Sequence, residues 1–313
     1  MQSQIFKRSS DKIFFFFAVA FMAIAAAFVF LHKSPALPER AKDEKLKIAA
    51  TVVPVKDLAK EIGGDKVEIT LIVPEGQSPH TFEPTPDVVD RISEAKSVFA
   101  IGVIDGWMSP LTRALGKPEF NVGAGIALKP FKETFTVGQE EEPAGAEGEY
   151  DPHYWLSVAN GKIIARNIAG ELSRLDKGNA GYYAENLELF FGRADAADAK
   201  IRETLSGLEN RKIITFHDAW GYFADDYGLE VAAIYQPSPG KDPSPQDVKS
   251  LIDKARDENI NTFFSEIQTS SAPLKAIGES EGIKVVPLDP LGAKEGYLEN
   301  LVKNAEAIRD ALR

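Results

Sequence analysis

The sequence predicts an α/β fold, two Rossmann-like lobes joined by a long helix. Three observations predict it. From Leu46 onward, short apolar runs alternate with amphipathic helical segments, the pattern of βα units. Most of these runs are continuously apolar, as expected of parallel strands covered on both faces. The runs also fall into two groups, with a long strandless stretch between them.

The first group holds KIAATVV (Lys47–Val53), VEITLIV (Val67–Val73) and SVFAIGV (Ser97–Val103). The second holds KIITF (Lys212–Phe216), EVAAIY (Glu230–Tyr235), NTFFS (Asn261–Ser265) and KVVPL (Lys284–Leu288). Thr85-Pro86 and Ser244-Pro245 each read as an N-cap followed by proline at the first helical position. Asp218 is expected to cap a helix that ends at Gly228. Between the groups, Gly181–Glu209 reads as one helix, with Tyr183, Leu187, Phe190, Phe191 and Ile201 at helical spacing. About 27 residues at ~1.5 Å each give a spine of roughly 40 Å. The expected division is 1–45 for an export segment or anchor with its linker, 46–180 for the first lobe, 181–209 for the linking helix and 210–313 for the second lobe. A length of 313 residues accommodates that plan.

The N-terminus is not globular. Lys7, Arg8 and Lys12 precede an uncharged apolar run from Ile13 to Leu31. It is long for a secretory leader of ~7–15 apolar residues and close to the ~18 or more of a membrane span. Retained anchor and cleaved leader are both open, and Ser34-Pro35-Ala36 offers a cleavage site. Either way the basic flank stays in the cytoplasm and the rest is exported, so the expected location is extracytoplasmic.

Acidic residues outnumber basic ones, 47 to 36, for a net charge of −11. That balance disfavours nucleic acid as a partner, since phosphate affinity comes from Lys and Arg. The chain has no cysteine, which excludes disulfides, thiolate metal sites, thiol catalysis and a lipid-modified Cys. Any metal must be held by imidazole nitrogen and carboxylate oxygen. The segment GQEEEPAGAEGEY (138–150) carries five glutamates without apolar periodicity and reads as an acidic loop.

The chain has four histidines, and His32 belongs to the export segment. His80, His153 and His217 all fall in expected turns or loops, and His217 directly follows a strand. Asp289 and Glu266 follow strands in the same way. In open α/β sheets, ligands bind beyond the carboxyl ends of strands. Each residue alone has an ordinary explanation: a loop histidine is usually just exposed, and Asp289-Pro290 reads equally well as a helix start. Together, three imidazoles and the carboxylate of Asp289 make a complete tetrahedral set for a first-row divalent metal. His217 is expected at a helix N-terminus, where the partial positive charge favours the neutral ring that a ligand needs.

Five motifs carry a family resemblance: SPHTFEPTP, DPHYWL, TFHDAWGYFADDYGL, FFSEIQ and LDPLG, in that order. With them the chain resembles the zinc/manganese substrate-binding proteins that feed ABC metal importers, over about Leu46 to Arg313. The resemblance implies two α/β lobes on a rigid helix, with metal in the cleft between them. It implies His80 and His153 as ligands from the first lobe and His217 and Asp289 from the second. Glu266 matches a family acidic residue near the site, either behind a ligand or an alternate ligand itself. The implied partners are the permease and its ATPase, and the receptor is expected to be a monomer. The acidic loop stands where many zinc members have a histidine-rich one, and the lipid-anchoring Cys of many relatives is absent.

Three nitrogens and one oxygen favour Zn2+, with Mn2+ (or iron) as the alternative cargo. Two other classes are weighed against transport. A metal-dependent hydrolase would need an open coordination position and a base, which Glu266 would have to supply; no HExxH motif is present. An adhesin would be expected to carry an added module or repeat, and the sequence has none.

Overall fold

The computed structural model describes residues 44–132, 134–136, 150–236, 244–268, 272–292 and 294–313. The apolar run Ile13–Leu31 and the acidic loop 139–149 lie outside them. Among the described residues no helix is long and apolar enough to cross a membrane.

Two parallel sheets organise the chain. The first has strand order β2-β1-β3-β4, built from β1 (Leu46–Ala50), β2 (Val67–Leu71), β3 (Val98–Ala100) and β4 (Glu119–Asn121). The second has order β5-β7-β6-β8-β9, built from β5 (Phe135–Thr136), β6 (Lys212–Thr215), β7 (Glu230–Ile234), β8 (Thr262–Glu266) and β9 (Lys284–Leu288). The expected strands are all present: β1 starts one residue earlier and ends three sooner, β2, β3, β6 and β7 lose one to three residues at one or both ends, β8 lies one residue later, and β9 matches. The short β4 and β5 are additions. β5 comes from the stretch before the long helix, yet it pairs with β7 in the second sheet.

Continuous apolar strands cover both faces, because successive side chains point opposite ways. In β1, Ile48 and Ala50 enter a central cluster while Ala49 enters a separate one with Ile72, Val88, Ile92 and Met108. In the second sheet, Ile213 and Phe264 join the central cluster, whereas Ile214 and Phe263 pack with Leu251, Ala255 and Leu274 on the other face. The helices covering these faces are α1 (Val53–Gly63), α2 (Pro86–Glu94), α3 (Met108–Ala114), α4 (Val158–Leu175), α5 (Ala180–Leu205), α6 (Gly221–Tyr227), α7 (Pro245–Asp257), α8 (Ala272–Glu281) and α9 (Tyr297–Leu312).

The spine helix is α5, 26 residues long. It packs against α9, α4 and α1. Tyr183, Phe190, Ala194, Ala197, Ile201 and Leu205 form its buried stripe, at helical spacing. Capping follows expectation at α7, where Ser244 and Asp247 form a reciprocal capping box. It differs at α6. That helix starts at Gly221 with Trp220 at its N-cap, so Asp218 is not its cap; Gly228 does end it, in the left-handed conformation at φ 68°. His217 therefore stands ahead of the helix rather than at its N-terminus, and the expected helix-charge effect on its ring does not apply. Asp289-Pro290 likewise does not start a helix, since α9 begins at Tyr297.

Candidate metal centre

His80 lies in the loop between β2 and α2, His153 in the turn before α4, and His217 just past β6. The chain carries them into one open pocket, whose empty space is about 450 Å3 with the solvent at its mouth included. Ile104, Trp155, Phe216 and Leu291 supply its apolar walls, and Gln236, Glu266 and Gln268 add polar ones. Nε2 of His153 lies 3.2 Å from Nε2 of His80 and 3.2 Å from Nε2 of His217. Among the described residues, these three imidazoles are the group whose ligand atoms lie close enough together to share a metal ion. Arms of ~2.0–2.1 Å at tetrahedral angles place ligand nitrogens about 3.3–3.4 Å apart, so the observed spacing suits a single small cation.

Two rings are oriented from behind. Nδ1 of His153 lies 2.9 Å from Oδ1 of Asp151, and the same oxygen accepts from the His153 backbone N–H at 2.8 Å. Nδ1 of His217 lies 2.7 Å from Oε1 of Glu266. A carboxylate accepts, so each ring donates from Nδ1 and presents the lone pair of Nε2 to the pocket. Asp151 and Glu266 are themselves buried. Glu266, the last residue of β8, thus sits behind a ligand-type ring, one of the two roles the motif offered. Asp151 was missed by the sequence reading, although its place two residues before His153 is a local signal for a side chain that bonds its own backbone.

Trp155 and Tyr297 fix the turn that carries His153. The Trp155 indole N–H donates to the carbonyl of Pro290 at 2.8 Å. The Tyr297 hydroxyl donates to the carbonyls of Trp155 at 2.6 Å and Ser157 at 3.2 Å. On the other side of that turn, the Tyr154 hydroxyl donates to the carbonyl of Ile101 at 2.7 Å. Burial pushes both phenols well above their usual range, so they remain donors.

Asp289 is held at the end of β9. Asn300 and Asn304 on α9 both donate to its carbonyl at 2.8 Å, and its N–H donates to Asn304. Its Oδ1 accepts from the N–H groups of Leu291 and Gly292 at 2.9 Å and from Nε2 of Gln268 at 2.6 Å. Asp289 is outside the three-histidine group and is not among the residues lining the pocket, whereas its neighbours Gln268, Pro290 and Leu291 are.

Residues 48–311 match the family model described as zinc-uptake complex component A, periplasmic. The chain belongs to this family. It is 31% identical over 258 residues to the manganese ABC transporter substrate-binding lipoprotein PsaA of Streptococcus mitis, covering 79% of this chain and 80% of that protein. It is 30% identical to the metal ABC transporter substrate-binding lipoprotein SsaB of Streptococcus sanguinis, covering 77% and 78%. Among solved structures, a crystal structure of ZnuA aligns at TM-score 0.76 and 32% identity, covering 86% of this chain and all of that one. The Pseudomonas aeruginosa binding protein FpvC in complex with Mn2+ aligns at TM-score 0.71 and 27% identity, covering 86% and 98%. The two-sheet plan with its long helix is thus the fold of the family.

Proposed function

We propose that this chain is the extracytoplasmic receptor of an ABC metal importer, which binds one divalent ion and delivers it to a permease served by an ATPase. One observation carries the reading. Nε2 of His153 and Nε2 of His217 are 3.2 Å apart, while both Nδ1 atoms face carboxylates. Two lone pairs aimed at one point repel each other unless a cation lies between them. A single proton reconciles two nitrogens, whereas one metal ion satisfies three. His80, His153 and His217 are the nitrogen ligands in this reading, and Asp289 is the carboxylate of the set. Zinc is the cargo favoured by three nitrogens and one oxygen, with manganese the alternative.

The same geometry argues against a hydrolase. The carboxylate nearest the rings, Glu266, is engaged with His217 and does not stand clear as a base. The receptor acts as a monomer held outside the cytoplasm, and its N-terminal apolar run contacts the membrane during or after export. Calorimetric titration of the metal-free protein with zinc tests the reading. One equivalent should bind to the wild type, and His217→Ala should bind at least a hundredfold more weakly. An unchanged affinity in that variant would remove the histidine site from the proposal.

A further inference from the structure

Three carboxylates each hold a residue that lines the pocket. Asp151 takes Nδ1 of His153, Glu266 takes Nδ1 of His217, and Asp289 takes Nε2 of Gln268. The first two pairs turn a nitrogen lone pair toward the cleft. The third pair occupies the amide nitrogen of Gln268 and leaves its oxygen as the remaining acceptor.

The orientation of the Gln268 amide follows from its surroundings. Oδ1 of Asp289 already accepts two backbone N–H groups, so the amide atom 2.6 Å away must be the donating nitrogen. The carbonyl Oε1 then lies on the other side. It is buried and accepts no hydrogen bond among the described residues, and Gln268 lines the pocket that holds the three imidazoles. A buried acceptor left without a donor or cation is unfavourable. A divalent ion, bare or carrying a water, would satisfy it.

Resting on the receptor reading above, the geometry points to Gln268 as a further contact for the cargo: its Oε1 adds a neutral oxygen to the three nitrogens, directly or through a metal-bound water. Asp289 orients that amide in addition to its own place in the ligand set. The neutral oxygen raises the oxygen character of the site without adding charge, and so bears on which divalent ion is retained.

The test is a double-mutant cycle on the metal-free protein, using Gln268→Leu and Asp289→Asn, titrated with zinc and loaded with cobalt for electronic absorption. Asn at position 289 keeps an oxygen that can accept the Gln268 N–H. The expected result is that Gln268→Leu lowers zinc affinity about tenfold, in the range of groups that support a metal's ligands. It should also shift the cobalt bands, and the shift should persist in the Asp289→Asn background. A Gln268→Leu protein with wild-type affinity and wild-type bands would overturn the proposal. So would a shift that vanishes in the Asp289→Asn background, since Gln268 would then act only through Asp289. A wild type that takes up neither zinc nor cobalt would instead refute the receptor reading itself. Thermal unfolding of each variant identifies a folding defect, and if Gln268→Leu misfolds, Gln268→Met carries the same test.

Discussion

His153 and His217 meet with their Nε2 atoms 3.2 Å apart, while Nδ1 of each ring turns to its own buried carboxylate, Asp151 at 2.9 Å and Glu266 at 2.7 Å. The carboxylates fix the tautomer of each ring and place negative charge behind it. Both effects favour a cation at the point where the rings converge.

Removing a carboxylate should therefore weaken the site without abolishing it. Asp151→Ala and Glu266→Ala are each expected to lower zinc affinity by about 10–100-fold, measured by calorimetry. His153→Ala should cost more than either, because it removes a ligand. Equal affinity in Asp151→Ala and the wild type would show that the His153 ring needs no orienting partner.

Protons compete with metal for the same nitrogens. Every imidazole must be neutral to ligate, and an unperturbed imidazole titrates near ~6.5. Zinc affinity should thus fall steeply as pH drops from about 7 to about 5, by on the order of a hundredfold or more. A flat profile across that window would be incompatible with a three-histidine site.

Zinc should win a direct competition with manganese. Zinc accepts four-coordination by nitrogen and oxygen without strain, and it lies above manganese in intrinsic affinity for such sites. Offered both ions in equal amounts, the metal-free protein should hold mostly zinc by elemental analysis. Manganese occupancy equal to zinc would reassign the cargo and leave the site in place.

The long elements and the histidines were legible in the sequence because each carries a repeating or local signal. The stripe from Tyr183 to Leu205 recurs at helical spacing, and His217 follows a strand that reads as a continuous apolar run. β4 and β5 were not legible, since three and two residues are too few to show a period. The start of α6 was misplaced because Asp218 is a good capping type and nothing local says that Gly221 begins the helix. The pairing of Gln268 with Asp289 spans 21 positions in sequence. Only the parallel register of β8 beside β9 brings them together, and no local pattern announces such a contact.

Asp57 gives a pH dependence of stability that is separate from the site. It is half-buried on α1. Burial, together with the nearby charges of Glu75 and Glu61 and against that of Lys56, pushes its carboxyl from 3.8 up to about 6. A carboxyl whose folded value is raised binds its proton more tightly in the fold than in the unfolded chain. Its contribution is most favourable below about 4 and is lost as pH rises through about 6. Asp57→Asn should therefore be more stable than the wild type at pH 7, with the advantage fading toward pH 4. Denaturant unfolding of both proteins at the two pH values measures the difference, and a constant offset would contradict it.

Tyr297 links stability to the site. It begins α9, the helix whose Asn300 and Asn304 hold the main chain of Asp289. Its hydroxyl donates to the carbonyls of Trp155 and Ser157, just past His153. One side chain thus couples the turn bearing an imidazole to the helix bearing the Asp289 corner. Tyr297→Phe leaves buried carbonyls without that donor and should destabilise the fold by about 1–3 kcal/mol. Gly161 exists to admit the phenol, since a Cβ there would lie 2.2 Å from the Tyr297 hydroxyl oxygen. Gly161→Ala should displace the ring and cost at least as much. If the coupling holds, both variants lose zinc affinity along with stability, although neither touches the pocket. Lower unfolding temperatures with unchanged zinc affinity would show that Tyr297 braces the fold alone.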